Sequence, residues 1–157
     1  MKKILLIIIL IIIPIFVSAQ VSEPVNFSAG DIKGNTIELD EYKGKVVILD
    51  FWATWCPPCR REIPNLKEIY KTHKNDKFEI ISIALERKPK DFAINFVKEW
   101  KMDWVHIIDM QKGREIAKKY KIMYIPTMYI INKKGEIVAS GLRGEQLKKK
   151  IGELLLN

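Results

Sequence analysis

The sequence predicts an α/β fold, with helices packed on both faces of a central mixed sheet. Three observations lead there. Two continuous apolar runs, "KVVILDFWA" and "FEIISIAL", suit strands buried on both faces. Segments with apolar residues at helical spacing alternate with such runs along the middle of the chain. The last third ends as two short strands joined by Lys133-Lys134-Gly135, then a helix, which is a hairpin followed by a closing helix.

The elements follow in order. The chain begins "MKKILLIIILIIIPIFVSAQ". Lys2 and Lys3 form a basic start, Ile4 to Val17 is apolar throughout, and Val17-Ser18-Ala19 offers small residues for cleavage before Gln20. Residues 1–19 are therefore expected to be an export signal peptide, and residues 20–157 one domain. An uncleaved anchor is the competing reading. Fourteen helical residues span about 21 Å, short of a bilayer core of about 30 Å. No cysteine follows the apolar run, so attachment of a lipid to an N-terminal cysteine is excluded.

Val25–Phe27 and Thr36–Leu39 flank "GDIKGN" and predict a strand-turn-strand unit. "KVVILDFWA" is the next strand. "PPCRREIPNLKEIYKTHKND" follows as a helix, with Ile63, Leu66, Ile69 and Tyr70 on one face. Pro57 and Pro58 fall in its first turn, where their missing N–H groups cost nothing. Pro64 lies inside it and is expected to bend it. "FEIISIAL" is a strand. "KPKDFAINFVKEWKM" is a helix expected to turn Phe92, Phe96, Val97 and Trp100 to one side. "WVHIID" is a short strand, "GREIAKKYKI" a helix, "TMYIIN" and "EIVASG" the hairpin, and "GEQLKKKIGELLL" the final helix.

Composition narrows the function. The formal charge of the 157 residues is +8, and loss of Lys2 and Lys3 with the signal leaves +6 on 138 residues. The lysines are scattered rather than gathered on one stripe, and nucleic acid is not expected as the partner of an exported protein. The chain has two cysteines, Cys56 and Cys59, separated by two prolines. A structural disulfide is the plainest account in an oxidising compartment. It fails on size, because so small a loop constrains the unfolded chain little. Zinc fails on ligand number, since tetrahedral zinc wants four ligands. His73 and His106 stand apart in sequence and are expected to be packing or surface residues.

Redox chemistry remains. At a helix N-terminus the macrodipole and free N–H groups stabilise a thiolate on Cys56. Thiolate, not thiol, attacks a disulfide. Cys59, one turn inside, is expected to be more buried and to resolve the mixed disulfide. The prolines rigidify the first turn and remove donors that would otherwise solvate the thiolate. Weaker stabilisation of the reduced form favours a more reducing couple.

"VILDFWATWCPPC" resembles the active-site strand and loop of the thioredoxin superfamily, and "CPPCRREIPNL" is closer still to the exported TlpA/ResA-like thiol-disulfide oxidoreductases. "YIPTMYIINKKGEIV" resembles that family's cis-proline loop and following hairpin. The likeness covers residues 23–157. It implies a thioredoxin-like fold with an N-terminal strand pair and an inserted helix between two middle strands. It implies a cis Pro126 beside Cys56, and a substrate surface of Trp55, Pro57, Ile125 and Pro126. Met123 and Tyr124 precede that loop and are candidates for tuning substrate choice. Trp52 is expected to be packing.

Asp50 lies in an otherwise apolar strand and is expected to have a raised pKa. It matches the buried aspartate that assists proton transfer at the inner cysteine. Glu86 matches the active-site glutamate of the ResA-like branch, with a solvated strand end as its other reading. The resemblance further implies reduction of protein disulfides outside the cytoplasm, with apocytochrome c as a leading substrate. A membrane thiol-disulfide carrier would be the electron donor. A monomer, without organic cofactor or metal, is expected. Two rivals are a peroxiredoxin-type peroxidase and a copper chaperone. "LDFWATW" lacks the proline that the first needs before its cysteine, and the cysteine spacing is one residue short for the second.

Overall fold

The computed structural model describes residues 22–75 and 77–156. The expected signal, residues 1–19, lies outside them. No helix among the described residues is long and apolar enough to cross a membrane.

Five strands form the central sheet in the order β5-β4-β3-β6-β7. They are β3 (Val46–Trp52), β4 (Phe78–Ala84), β5 (Val105–Ile107), β6 (Thr127–Ile131) and β7 (Ile137–Ser140). β3, β4 and β5 run parallel, while β6 is antiparallel to β3 and β7 to β6. β3 is thus central, and all seven of its residues are buried. That is why it reads as a continuous apolar run broken only by Asp50.

Alternation along β3 divides the core into two layers. Val46, Ile48 and Trp52 face α1 (Pro57–His73), α2 (Lys90–Glu99) and α4 (Gly144–Leu156), through Ile63, Leu66, Ile69, Val97, Leu147 and Ile151. Val47, Leu49 and Phe51 face α3 (Met110–Lys119) and the N-terminal pair β1 (Ser28–Gly30) and β2 (Thr36–Glu38). Asp50 shares the parity of Ile48 and Trp52, so it is presented to the layer that contains α1.

Three expectations are corrected. The first strand is Ser28–Gly30, not Val25–Phe27. Backbone pairing reaches back only to Phe27, whose carbonyl accepts from Leu39 N at 3.2 Å, and before it the Asn26 carboxamide oxygen takes over by accepting from both Phe27 N and Asp40 N. In α2 the buried residues are Ala93 and Val97, four apart, while Phe92 is exposed with Lys88 Nζ 3.9 Å from its ring centre. Phe96 and Trp100 are half-buried and stacked on each other at 4.9 Å. α3 starts at Met110 rather than at Gly113, because the Asp109 side chain caps it by accepting from Lys112 N. Pro64 stands inside α1, which runs without interruption over Pro57–His73.

Candidate active site

β3 delivers the chain to the carboxyl end of the parallel strands at Trp52, and α1 begins five residues later. Cys56 is the N-cap of α1, in extended conformation, and Cys59 lies in its first turn. The two form a disulfide with a Cα–Cα separation of 5.3 Å. Pro57 and Pro58 have no N–H to offer. The first amide presented by the helix is therefore that of Cys59, which donates to Cys56 Sγ at 3.3 Å. Cys56 and Cys59 are 3% and 4% exposed. The expected difference in burial is absent, because both cysteines belong to the core layer of Trp52, Ala53 and Ile63.

The Ile125–Pro126 bond is cis. Arg143, just before α4, donates from Nη2 to the Pro126 carbonyl at 2.6 Å. Trp55 and Pro57 are exposed, Ile125 is half-buried and Pro126 is buried. Trp52 is buried as packing, in ring contact with Phe96 and His106.

Asp50 is 2% exposed. Its register partner on β4 is Ser82, whose hydroxyl donates to Asp50 Oδ2 at 3.0 Å. Ser82 Oγ in turn accepts from Trp104 Nε1 at 2.8 Å. Burial pushes the Asp50 carboxyl up to about 7, and the negative charge of Glu62 adds to this. The Ser82 hydrogen bond and the positive charge of Arg143 pull the other way. A carboxyl with that pKa is both acid and base near neutrality.

Glu86 is 2% exposed, so it is not a solvated strand end. It accepts from Thr54 N at 2.5 Å through Oε1 and from Thr54 Oγ1 at 3.1 Å through Oε2. Thr54 is two residues before Cys56. Glu86 therefore ties the cysteine loop to the end of β4.

Sequence reasoning missed Glu62, Ser82 and Arg143. Glu62 is three residues after Cys59, a spacing that shares a helix face, and its Oε1 accepts from Gly144 N at 3.0 Å. That spacing was an available signal, as was a serine inside "FEIISIAL". Nothing in the sequence marks Arg143. A groove of about 520 Å³ lies along α1 beside Lys71, Lys74 and Trp104, and shares no residue with the cysteine loop.

A cysteine pair at a helix start, a cis-proline loop and a buried carboxylate on the same five-stranded frame define a thiol-disulfide oxidoreductase of thioredoxin-like architecture. The chain belongs to the AhpC/TSA family, whose pattern matches residues 21–140. It is 41% identical to the thiol-disulfide oxidoreductase ResA of Bacillus thuringiensis subsp. konkukian over 134 residues, 85% of this chain and 75% of that one. It is 33% identical to sporulation thiol-disulfide oxidoreductase A of Bacillus subtilis, over 83% of this chain and 80% of that one. Its fold matches the thioredoxin domain of a thiol-disulfide oxidoreductase from Bacteroides vulgatus with a TM-score of 0.77 at 29% identity, covering 87% and 96% of the two chains.

Proposed function

We propose that this oxidoreductase acts outside the cytoplasm as a reductant of protein disulfides. Its Cys56 thiolate attacks one sulfur of the substrate disulfide and expels the other as a thiolate. The Cys59 thiolate then attacks Cys56 Sγ, which releases the second substrate thiol and leaves the Cys56–Cys59 disulfide. Two electrons have passed from the dithiol to the substrate, and a membrane thiol-disulfide carrier returns them. Asp50 takes the proton of Cys59 as resolution begins. Glu86 holds the loop that carries Cys56. Trp55, Pro57, Ile125 and Pro126 form the surface met by the substrate, and the protein works as a monomer. Apocytochrome c, with its paired haem-attachment cysteines, is the substrate class proposed.

The observation that carries the reducing direction is the single amide aimed at Cys56 Sγ. With Pro57 and Pro58 next in the chain, the thiolate loses two donors that an ordinary helix start would supply. A thiolate held by fewer donors makes the reduced form less favoured, and the couple more reducing.

Two measurements test this. In a glutathione redox titration the potential is expected nearer about −270 mV than about −120 mV, the values of a reductant and an oxidant of this architecture. A value at the oxidising end would overturn the direction. Cys59→Ser is expected to accumulate mixed disulfides with a peptide carrying two haem-attachment cysteines, through Cys56. Cys56→Ser should accumulate none. Equal trapping by both would remove the assigned roles.

A further inference from the structure

A groove of about 570 Å³ is lined by Trp55, the residue before Cys56. One wall is Trp55 of the cysteine loop with the end of β4. The other is α3 and the turn after it, which leads through Met123 into the cis-proline loop. Trp55 is 39% exposed and Met123 88%, so two large apolar side chains stand open at the mouth.

The charge of this groove is one-sided. Arg87, Arg114, Lys118 and Lys121 line it, and none is ion-paired among the described residues. The one carboxylate in the lining, Glu86, is turned to Thr54. α3 sorts its own charges. Glu115 is bonded by Lys112 and Lys119 on one stripe, while Arg114 and Lys118, one turn apart, line the groove together with Lys121 of the turn that follows α3.

An ordinary solvated helix explains part of this. Lys118 sits in the last turn and Lys121 just beyond the C-cap, where cations complement the helix dipole. Arg114 sits in the first half of α3, and Arg87 lies on no helix, so the dipole accounts for neither. Arg87 is also not loose, since its guanidinium stacks 4.2 Å over the Trp55 ring. That contact fixes a cation on the residue next to Cys56.

We propose that this groove receives the cysteine-bearing segment of a protein substrate whose disulfide is flanked by acidic residues. An apolar side chain of the same segment rests on Trp55 and Met123. The proposal rests on the protein-disulfide reductase reading of the site and adds the chemistry of the substrate. Convergent cations in a cleft raise the encounter rate of an acidic partner by about tenfold to a thousandfold, in a salt-dependent way.

The experiment follows reduction of three peptide disulfides of equal length by the pre-reduced protein. Their flanks are Glu/Asp, Ser/Gln or Lys, and the salt is low or high. The acidic peptide is expected to be reduced about tenfold faster than the neutral one at low salt, and the Lys peptide slower than both. The differences should shrink at high salt. Arg114→Glu combined with Lys118→Glu should reverse the order of the charged peptides. Lys121→Glu alone should reduce the acidic preference, and serves if the double variant does not fold. Equal rates for acidic and Lys flanks, or a preference untouched by charge reversal, would overturn the proposal. So would binding to anionic phospholipid vesicles that charge reversal abolishes, without any peptide preference. That outcome would assign these cations to a membrane surface. Failure of the wild-type protein to reduce even the neutral peptide would instead sink the reductase reading.

Discussion

Ser82 has one proton to give, and Asp50 receives it. Trp104 Nε1 can only donate, so by occupying a lone pair of Ser82 Oγ it leaves the hydroxyl proton for Asp50 Oδ2. This is the hydrogen bond that keeps the buried carboxyl from rising above about 7. Ser82→Ala removes it and leaves the indole N–H unpaired as well. A hydrogen bond to a charged group is worth about 1.5–3 kcal/mol, which corresponds to a shift of roughly one to two pH units. The pH profile of disulfide exchange should therefore move upward by that amount in Ser82→Ala, with slower exchange at neutral pH. Stopped-flow rates against pH decide it. A profile superimposable on wild type would show that Asp50 does not handle the limiting proton. At this scale the sequence exposes residues that break a local pattern. Cys56, Cys59 and Asp50 stand out because each is foreign to its surroundings. Glu62 is one charge among many on its helix, and only the fold brings its charge close enough to act on Asp50. The role of Ser82 depends on the pairing of Asp50 with Ser82 across β3 and β4, which neither strand alone encodes.

The loop from Ala53 to Cys56 closes a single turn, Cys56 N donating to the Ala53 carbonyl at 3.2 Å, and takes its position from β4. Glu86 supplies that position through two bonds to Thr54. Glu86→Ala should cost about 1–3 kcal/mol, because Thr54 N is left buried without an acceptor. It should also slow exchange by misplacing Cys56. Glu86→Gln keeps a carbonyl oxygen for Thr54 N and should restore most of both losses. Urea unfolding and exchange rates of the two variants separate an anchor from a proton carrier, since a proton carrier would fail equally as Gln. The end of β4 is held from its other side by α3. A Cβ on Gly113 would stand 2.7 Å from the Ala84 carbonyl oxygen, and backbone cannot give way as a side chain can. Gly113→Ala gains helix propensity of about 1 kcal/mol, but overpacking costs about 1–3 kcal/mol. A net loss of thermal stability is expected, and a gain would mean that α3 slides freely on the sheet. Gly113 illustrates why helices were legible and their docking was not. The periodicity of "GREIAKKYKI" gives α3, but the approach of its backbone to Ala84 depends on the whole layer. The same limit placed Phe92 on the wrong side of α2: apolar spacing gives a face, and the neighbours decide which residues of it are covered. The first strand was misplaced for a different reason. Apolarity located Val25–Phe27, whereas pairing fell to the less apolar Ser28–Gly30 beside it.

Across the whole molecule, two buried groups on the same sheet titrate in opposition. Asp50 and His106 lie in register through Ser82, on adjacent strands β3, β4 and β5. Burial pushes Asp50 up from 3.8 to about 7 and His106 down from 6.5 to about 3. Between pH 3.8 and about 7 the folded protein keeps a proton on Asp50 that the unfolded chain has released. That contribution to stability is full below the lower value and is lost as pH rises through the upper one. Between about pH 3 and 6.5 the unfolded chain binds a proton at His106 that the folded protein refuses. This contribution is full above 6.5 and is lost as pH falls through 3. Each slope is one proton, or about 1.4 kcal/mol per pH unit, and the signs are opposite. From roughly pH 4.5 to 6 the two should cancel. Relative to wild type, Asp50→Asn should then become more stable as pH rises, by about 1.4 kcal/mol per unit. His106→Gln should become less stable by the same slope. Comparison with wild type removes the other titrating groups, among them Glu79, whose burial also raises its pKa. Urea unfolding of the disulfide form at several pH values in that window gives the three slopes directly. Variants that run parallel to wild type would show that these two groups are not buried as described. Divergent slopes would show that a carboxyl held near 7 for proton transfer is balanced, in the stability of the fold, by a neutral histidine two strands away.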